Sequence, residues 1–168
     1  DFTSNGFLIY NINDGVARIA ETADEGGFAI VAAGDVQGGI AMQEVRRIGV
    51  TNLPLSGTAE YTGTYISLVV PTGETDPFNA VIGNVSLDVD FVVSEVDGSI
   101  TGRTIGSEAL DDVTFDVASL RSDGSFSGTT DPVSATISNK TSTGAGTFTG
   151  LVTDTNASGA VGTVTIDY

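Results

Sequence analysis

The chain has 168 residues, with Lys and Arg numbering 6 against 22 Asp and Glu, a formal charge of −16, and neither His nor Cys. That length suits one domain with a small appendage and leaves no room for a second full domain. The charge repels a phosphate backbone and an anionic lipid surface, which excludes nucleic-acid binding, and the missing His and Cys remove the usual general base, the thiol nucleophile, the main transition-metal ligands and every disulfide.

Residues 1–52 predict a small handle-like sheet of four short strands: Phe7 to Ile12, Val16 to Ala20, Phe28 to Ala33 and Ile40 to Ile48, with a turn at Asn13-Asp14-Gly15. Ala41 to Arg47 also admits a short helix. Leu53-Pro54 reads as a hinge, because proline fixes φ and cannot continue a central ladder. The chain opens at Asp1-Phe2-Thr3 with no basic or apolar leader, so any export signal or lipid-anchor cysteine is expected to be removed or to lie outside this sequence. No apolar run reaches the roughly 18 residues of a membrane-spanning helix.

From Asn84 onward the pattern alternates. Val85, Leu87, Val89, Phe91 and Val93 share one parity, with Ser86, Asp88 and Asp90 on the other, which is the signature of a half-buried strand. Asp97-Gly98 predicts a hairpin turn, and so does Asp123-Gly124, since both residues of such a pair tolerate positive φ. Between them Phe115 and Val117 share a face. A further turn is expected at Asn156-Ala157-Ser158-Gly159, followed by Val164, Ile166 and Tyr168 on one face. From Leu53 the count gives strands near 58–70, 83–95, 99–106, 112–121, 124–131, 133–139, 145–153 and 160–168. Eight strands in chain order over residues 53–168 predict an all-β fold: an eight-stranded antiparallel up-and-down soluble barrel behind the handle-like sheet, with a two-sheet sandwich as its rival. Gly63, Gly102, Gly128 and Gly150 mark bends or bulges in it.

The run Leu53-Pro54-Leu55-Ser56-Gly57-Thr58-Ala59-Glu60-Tyr61-Thr62-Gly63-Thr64-Tyr65 resembles the start of the barrel in the transferrin-binding protein B-like family of bacterial surface lipoproteins. Val89-Asp90-Phe91 with Gly98 to Gly102, Gly124 to Thr129 and Gly146 to Gly150 resemble that family's successive strand repeats, so the resemblance covers roughly residues 40–168. It implies an eight-stranded soluble barrel preceded by a handle, displayed on the outer membrane or secreted. Two departures stand out. The final strand reads Ala160-Val161-Gly162-Thr163-Val164-Thr165-Ile166 where the family usually carries a G-G-x-F-x-G ending, and no transferrin-contact residue transfers position by position.

Asp88, Asp90, Asp111, Asp112 and Asp116 are oxygen donors of the kind calcium takes, but no D-x-[DN]-x-[DN]-G loop is present and outward Asp is how a barrel strand stays soluble. Carboxylates are so plentiful that no glycosidase pair is nominated. Tyr61 and Tyr65 share a parity and suit stacking on a flat ligand, or phenolate ligation of iron or haem, although core packing accounts for them as well. Arg46 and Arg47 flank the hinge and are expected to pair with the acidic wall. No catalytic residue, metal or cofactor is assigned. The reading is a non-enzymatic surface or secreted binding module that captures a protein or nutrient carrier through loops such as Pro71 to Ala80 and Gly106 to Asp112 and through the junction of handle and barrel. The alternatives are a structural subunit of an extracellular layer, filament or outer-membrane complex, and a carrier with a ligand inside the barrel; a membrane-spanning barrel is disfavoured by the absence of Trp.

Overall fold

The computed structural model describes residues 7–12, 17–23, 27–34, 39–69, 79–137 and 140–166. Among them there is no helix, and every strand pairing is antiparallel. Strands β1 (Phe7–Ile12), β2 (Ala17–Ala23), β3 (Gly27–Gly34) and β4 (Gly39–Arg47) form a four-stranded meander in chain order. Ala41 to Arg47 is strand and not helix, since β4 is laddered along β3 from Gly27↔Arg47 to Gly34↔Gly39, with one register shift between Ala32 and Ala33. The Asn13-Asp14-Gly15 turn lies outside the described residues.

The rest of the chain builds a longer wall from β5 (Thr58–Val69), β6 (Asn79–Asp90), β7 (Glu95–Ile105), β8 (Glu108–Ala109), β9 (Val113–Ser119), β10 (Ser125–Thr129), β11 (Val133–Ile137), β12 (Lys140–Gly144), β13 (Gly146–Thr153) and β14 (Gly159–Ile166). Several of these are pieces of one run. β8 and β9 hold a common register along β7, from Ile105↔Glu108 to Ile100↔Val113. β10 with β11, and β12 with β13, form one long ribbon whose register slips by a single residue between Thr129↔Thr147 and Val133↔Gly144. The bridge Phe115↔Thr130 joins β9 to β10. The wall therefore has seven alternating runs. Segments 124–131 and 133–139 were expected to lie side by side; their described residues, 124–131 and 133–137, follow one another along a single run.

That odd count decides the architecture. With seven alternating runs, β5 and β14 point the same way, and no ladder joins them among the described residues. The described strands thus form antiparallel sheets and not a closed barrel. The backbone of β2 and β3 approaches β5, and that of β3 and β4 approaches β14, so the first sheet lies against both edges of the wall. Val161 and Thr163, on the outward parity of β14, are buried where this happens.

Two local expectations change. The β6–β7 turn falls at residues 91–94, where the Asp90 carboxylate accepts from the backbone N–H groups of Val92 (2.8 Å) and Val93 (3.3 Å) and Ser94 takes φ 59°. Asp97-Gly98 lies inside β7 instead, and Gly98 serves close approach: a Cβ there would stand 2.2 Å from the Ser86 carbonyl oxygen. A short side chain that accepts two backbone donors has outcompeted an Asp-Gly pair as the turn. The second change follows from the irregularity between Val96 and Gly98, opposite which Phe115 and Ala118 both face inward and Val117 is left outside. The Asp123-Gly124 turn is where it was expected, with Gly124 at φ 80°.

The wall's inner face is filled by Leu87, Val89 and Phe91 from β6 and the turn after it, Val96 and Ile100, Val113 and Phe115, Phe126, and Phe148 and Val152. Phe148 stacks on Phe115 with centroids 4.6 Å apart and meets Phe126 at 6.2 Å. Two glycines make this packing possible. Phe126 pairs with Gly150 across the β10–β13 ladder, and Gly128 with Phe148, so each ring lies over a residue that has no side chain. Gly150→Ala would set a Cβ 2.3 Å from Phe126 Cζ and 2.8 Å from the Val161 carbonyl oxygen; overpacking of that kind should cost about 1 to 3 kcal/mol. Gly63→Ala meets nothing nearer than Val85 Cγ1 at 3.6 Å and should stay within about 0.5 kcal/mol. Urea unfolding of the two variants checks the contrast.

Candidate functional site

Residues 48–57 have no ladder of their own and run as a strap across one end of the wall. Arg47 anchors its start: Nε donates to the Val152 carbonyl at 3.1 Å, and Nη2 donates to the Asp123 carbonyl. Thr51 Oγ1 donates to the Val152 carbonyl at 3.3 Å, and the Asn52 N–H to the Thr155 carbonyl at 3.2 Å. Leu53 packs against the core, and the Phe91 N–H donates to the Gly57 carbonyl at 3.0 Å. One short segment thus ties the β9–β10, β13–β14 and β6–β7 turns together. A guanidinium suits the first position because it offers several donors in a fixed fork.

The expected pairing of both arginines with the acidic wall is not what holds them. Arg47 is engaged by backbone carbonyls, while Arg46 is exposed and pairs with Glu44 at 3.4 Å along its own strand. The Asp123 carboxylate is held low in pKa chiefly by the Ser125 hydroxyl (2.6 Å), then by the Ser125 N–H (2.9 Å), with a smaller contribution from nearby Arg47.

The tyrosines part company along β5. Tyr61 Oη donates to the Ala157 carbonyl at 2.6 Å, linking β5 to the β13–β14 turn, and its ring packs against the main core. Burial pushes its phenol pKa up, which favours the neutral form over a metal-binding phenolate. Tyr65 packs against the main core too, and it also reaches the second cluster of Val81, Ile105, Leu110 and Ala135, which Tyr61 does not. Tyr61 and Arg47 therefore share the β13–β14 hairpin, and Tyr65 and Arg46 do not join them.

Sequence reading passed over Arg103, which is only 2% exposed. Its Nη1 donates to the Asp111 carbonyl at 2.8 Å, and its guanidinium lies 5.9 Å from the centroid of the Tyr65 ring. The signal was present: Gly102 at φ 61° resets the parity of β7, so that Arg103 faces inward with Ile105. The segment Gly106 to Asp112 is tied down, not a free loop, by the Leu110 N–H on the Arg103 carbonyl (2.9 Å) and by Asp112 Oδ1 accepting from the Gly102 N–H (3.0 Å). Of Pro71 to Ala80, only residues 79–80 are described, and they begin β6.

The acidic candidates are dispersed. Asp90 caps a turn, Asp112 holds Gly102, and Asp116 accepts from Thr129 Oγ1. Among the described residues, no group of three or more acidic side chains is placed to hold a metal ion. No helix among them is long and apolar enough to cross a membrane. No protein-family model matches the chain, and neither a curated protein nor a solved structure matches it.

Three outcomes are expected. Arg47→Ala, which strips charge-assisted bonds from two carbonyls, should cost about 1.5 to 3 kcal/mol, and Tyr61→Phe about 0.5 to 1.5 kcal/mol, both read by urea unfolding. Because the folded-state pKa of Asp123 is lowered from 3.8, its stabilisation is present above that value and is lost as pH falls through the lower one. Asp123→Asn should therefore lose less stability than the wild type on acidification across that window.

Proposed function

We propose that the chain is a non-enzymatic binding module of a bacterial surface or of a secreted protein, which captures a protein or nutrient carrier on its outer surfaces. The observation that carries this reading is the interior packed by Phe115, Phe126 and Phe148, which directs recognition to turns, strap and edges. The dispersal of Asp90, Asp112 and Asp116 into separate local bonds supports the non-enzymatic part, since hydrolysis by a carboxylate pair needs two of them facing one cleft.

Kinship with the transferrin-binding protein B-like lipoproteins belongs to the same proposal. It is supported by the Leu53 to Tyr65 run, which supplies the second half of the strap and the first half of β5. An eight-stranded barrel of that type requires one more strand between β5 and β14, antiparallel to both. That no ladder joins β5 to β14 among the described residues favours a second reading, an assembly subunit in which a neighbour's strand enters the seam that the first sheet now lies against.

The test is capture. The immobilised protein, exposed to solubilised surface proteins of the source cell and to iron carriers, should retain a discrete species in a saturable way that free protein competes off. Retention of nothing above background would remove the binding reading. Concentration-dependent polymerisation of the purified chain alone would put assembly in its place.

A further inference from the structure

Over residues 44–67, 80–136 and 141–166, seven large hydrophobics stand in water, and five of them gather at one end: Ile48, Val50 and Leu55 on the strap and Val92 and Val93 on the β6–β7 turn, with Ile82 and Val117 apart from them. Those five are between 57% and 97% exposed. Strap and turn are one surface, since Gly57 accepts from Phe91 and the Leu120 N–H in turn donates to the Ser94 carbonyl at 2.8 Å. Apolar side chains concentrated at one end of an otherwise polar wall mark an interaction surface.

The charge around this end selects the occupant. Asp90 and Glu95 flank the turn, and Asp123 and Asp154 sit in the two neighbouring turns that the strap ties down. The cations here are outnumbered: Arg46 pairs with Glu44 at 3.4 Å, Arg47 keeps its charge beside Asp123 while donating to the carbonyls of Val152 and Asp123, and Arg121 reaches Ser125 Oγ at 3.5 Å. The chain as a whole carries −16. A second copy brings a like-charged acidic chain to the contact, and an anionic lipid surface is repelled in the same way. Resting on the binding-module reading, we propose that the strap end docks a protein partner whose contact surface presents apolar side chains bordered by Lys or Arg. Leu55, Val92 and Val93 supply the apolar contact, and the surrounding carboxylates select the partner and speed its approach.

The test uses the whole chain and three synthetic peptides of one length: alternating Lys and Leu, alternating Lys and Ser, and alternating Glu and Leu. Wild type should bind the Lys–Leu peptide at least about tenfold more tightly than the Lys–Ser peptide, weaken with added salt, and ignore the Glu–Leu peptide. The combined variant L55S/V92T/V93T should erase the preference for Leu, and Ile82→Thr should leave it intact. Leu55→Ser alone should reduce that preference, and at 97% exposure Leu55 has almost no packing to lose, so this single variant decides the matter if the combined one fails to fold. Equal binding of the two Lys peptides would overturn the proposal, as would binding that Leu55→Ser and the combined variant leave unchanged. So would a wild-type dimer in sedimentation, or uptake by phosphatidylcholine vesicles, that these variants abolish. If wild type and the combined variant retain the same native partner equally, the strap end falls and the binding reading stands; if neither retains a partner while the peptide preference holds, the binding reading falls and the strap-end chemistry stands.

Discussion

Seven alternating runs leave the first and last strands of the wall pointing the same way, and much else in this structure follows from that parity. An antiparallel ladder between the two edges of such a wall requires them to run in opposite directions. β5 and β14 do not, so no ladder joins them among the described residues and other parts of the chain secure the structure. The four-stranded meander comes up against both edges, and Val161 and Thr163 on the outward side of β14 are buried there. At one end the strap ties three turns with a handful of bonds to backbone carbonyls, and Leu53 packs against the core below it.

Inside the wall, stability and shape come from the same residues. The stacked pair Phe115 and Phe148, with Phe126 beside them, contributes about 0.5 to 1.5 kcal/mol per ring contact beyond the area it buries. The reciprocal placement of Phe126 over Gly150 and Phe148 over Gly128 brings rings and backbone into contact that a Cβ would block. At the surface the carboxylates serve as turn caps and partners of hydroxyl and N–H groups, as Asp90, Asp116 and Asp123 do, and keep it anionic.

Hydrogen-bonding chemistry also decided which turn signals were used. Asp90 caps the β6–β7 turn although an Asp-Gly pair lies a few residues on, because its carboxylate reaches two backbone donors at once. Gly98 was then needed elsewhere, where the β6 backbone passes too close for any side chain. Arg103 followed a similar logic: the left-handed Gly102 before it resets the parity of β7, and Arg103 turns inward, over Tyr65 and against the Asp111 carbonyl.

Alternation and turn chemistry are local, and for that reason the sequence alone was enough for the all-β class, the four N-terminal strands, the bounds of most later ones, the Asp123-Gly124 turn and the inward parity of Leu87, Val89, Phe91, Phe126 and Phe148. Of the candidate site it located Arg47, which anchors the start of the strap, and the tyrosine that joins it at the β13–β14 hairpin, but neither of their partners. Whether two successive segments fold back or run on, as β10 and β11 do, depends on which strand lies beside them, and that pairing is non-local. The number of runs, the open seam between β5 and β14, the exposure of Val117 opposite a bulge, the burial of Arg103 and the gathering of Leu55, Val92 and Val93 at one end were all decided by register between segments far apart in the chain, which no short window of residues contains.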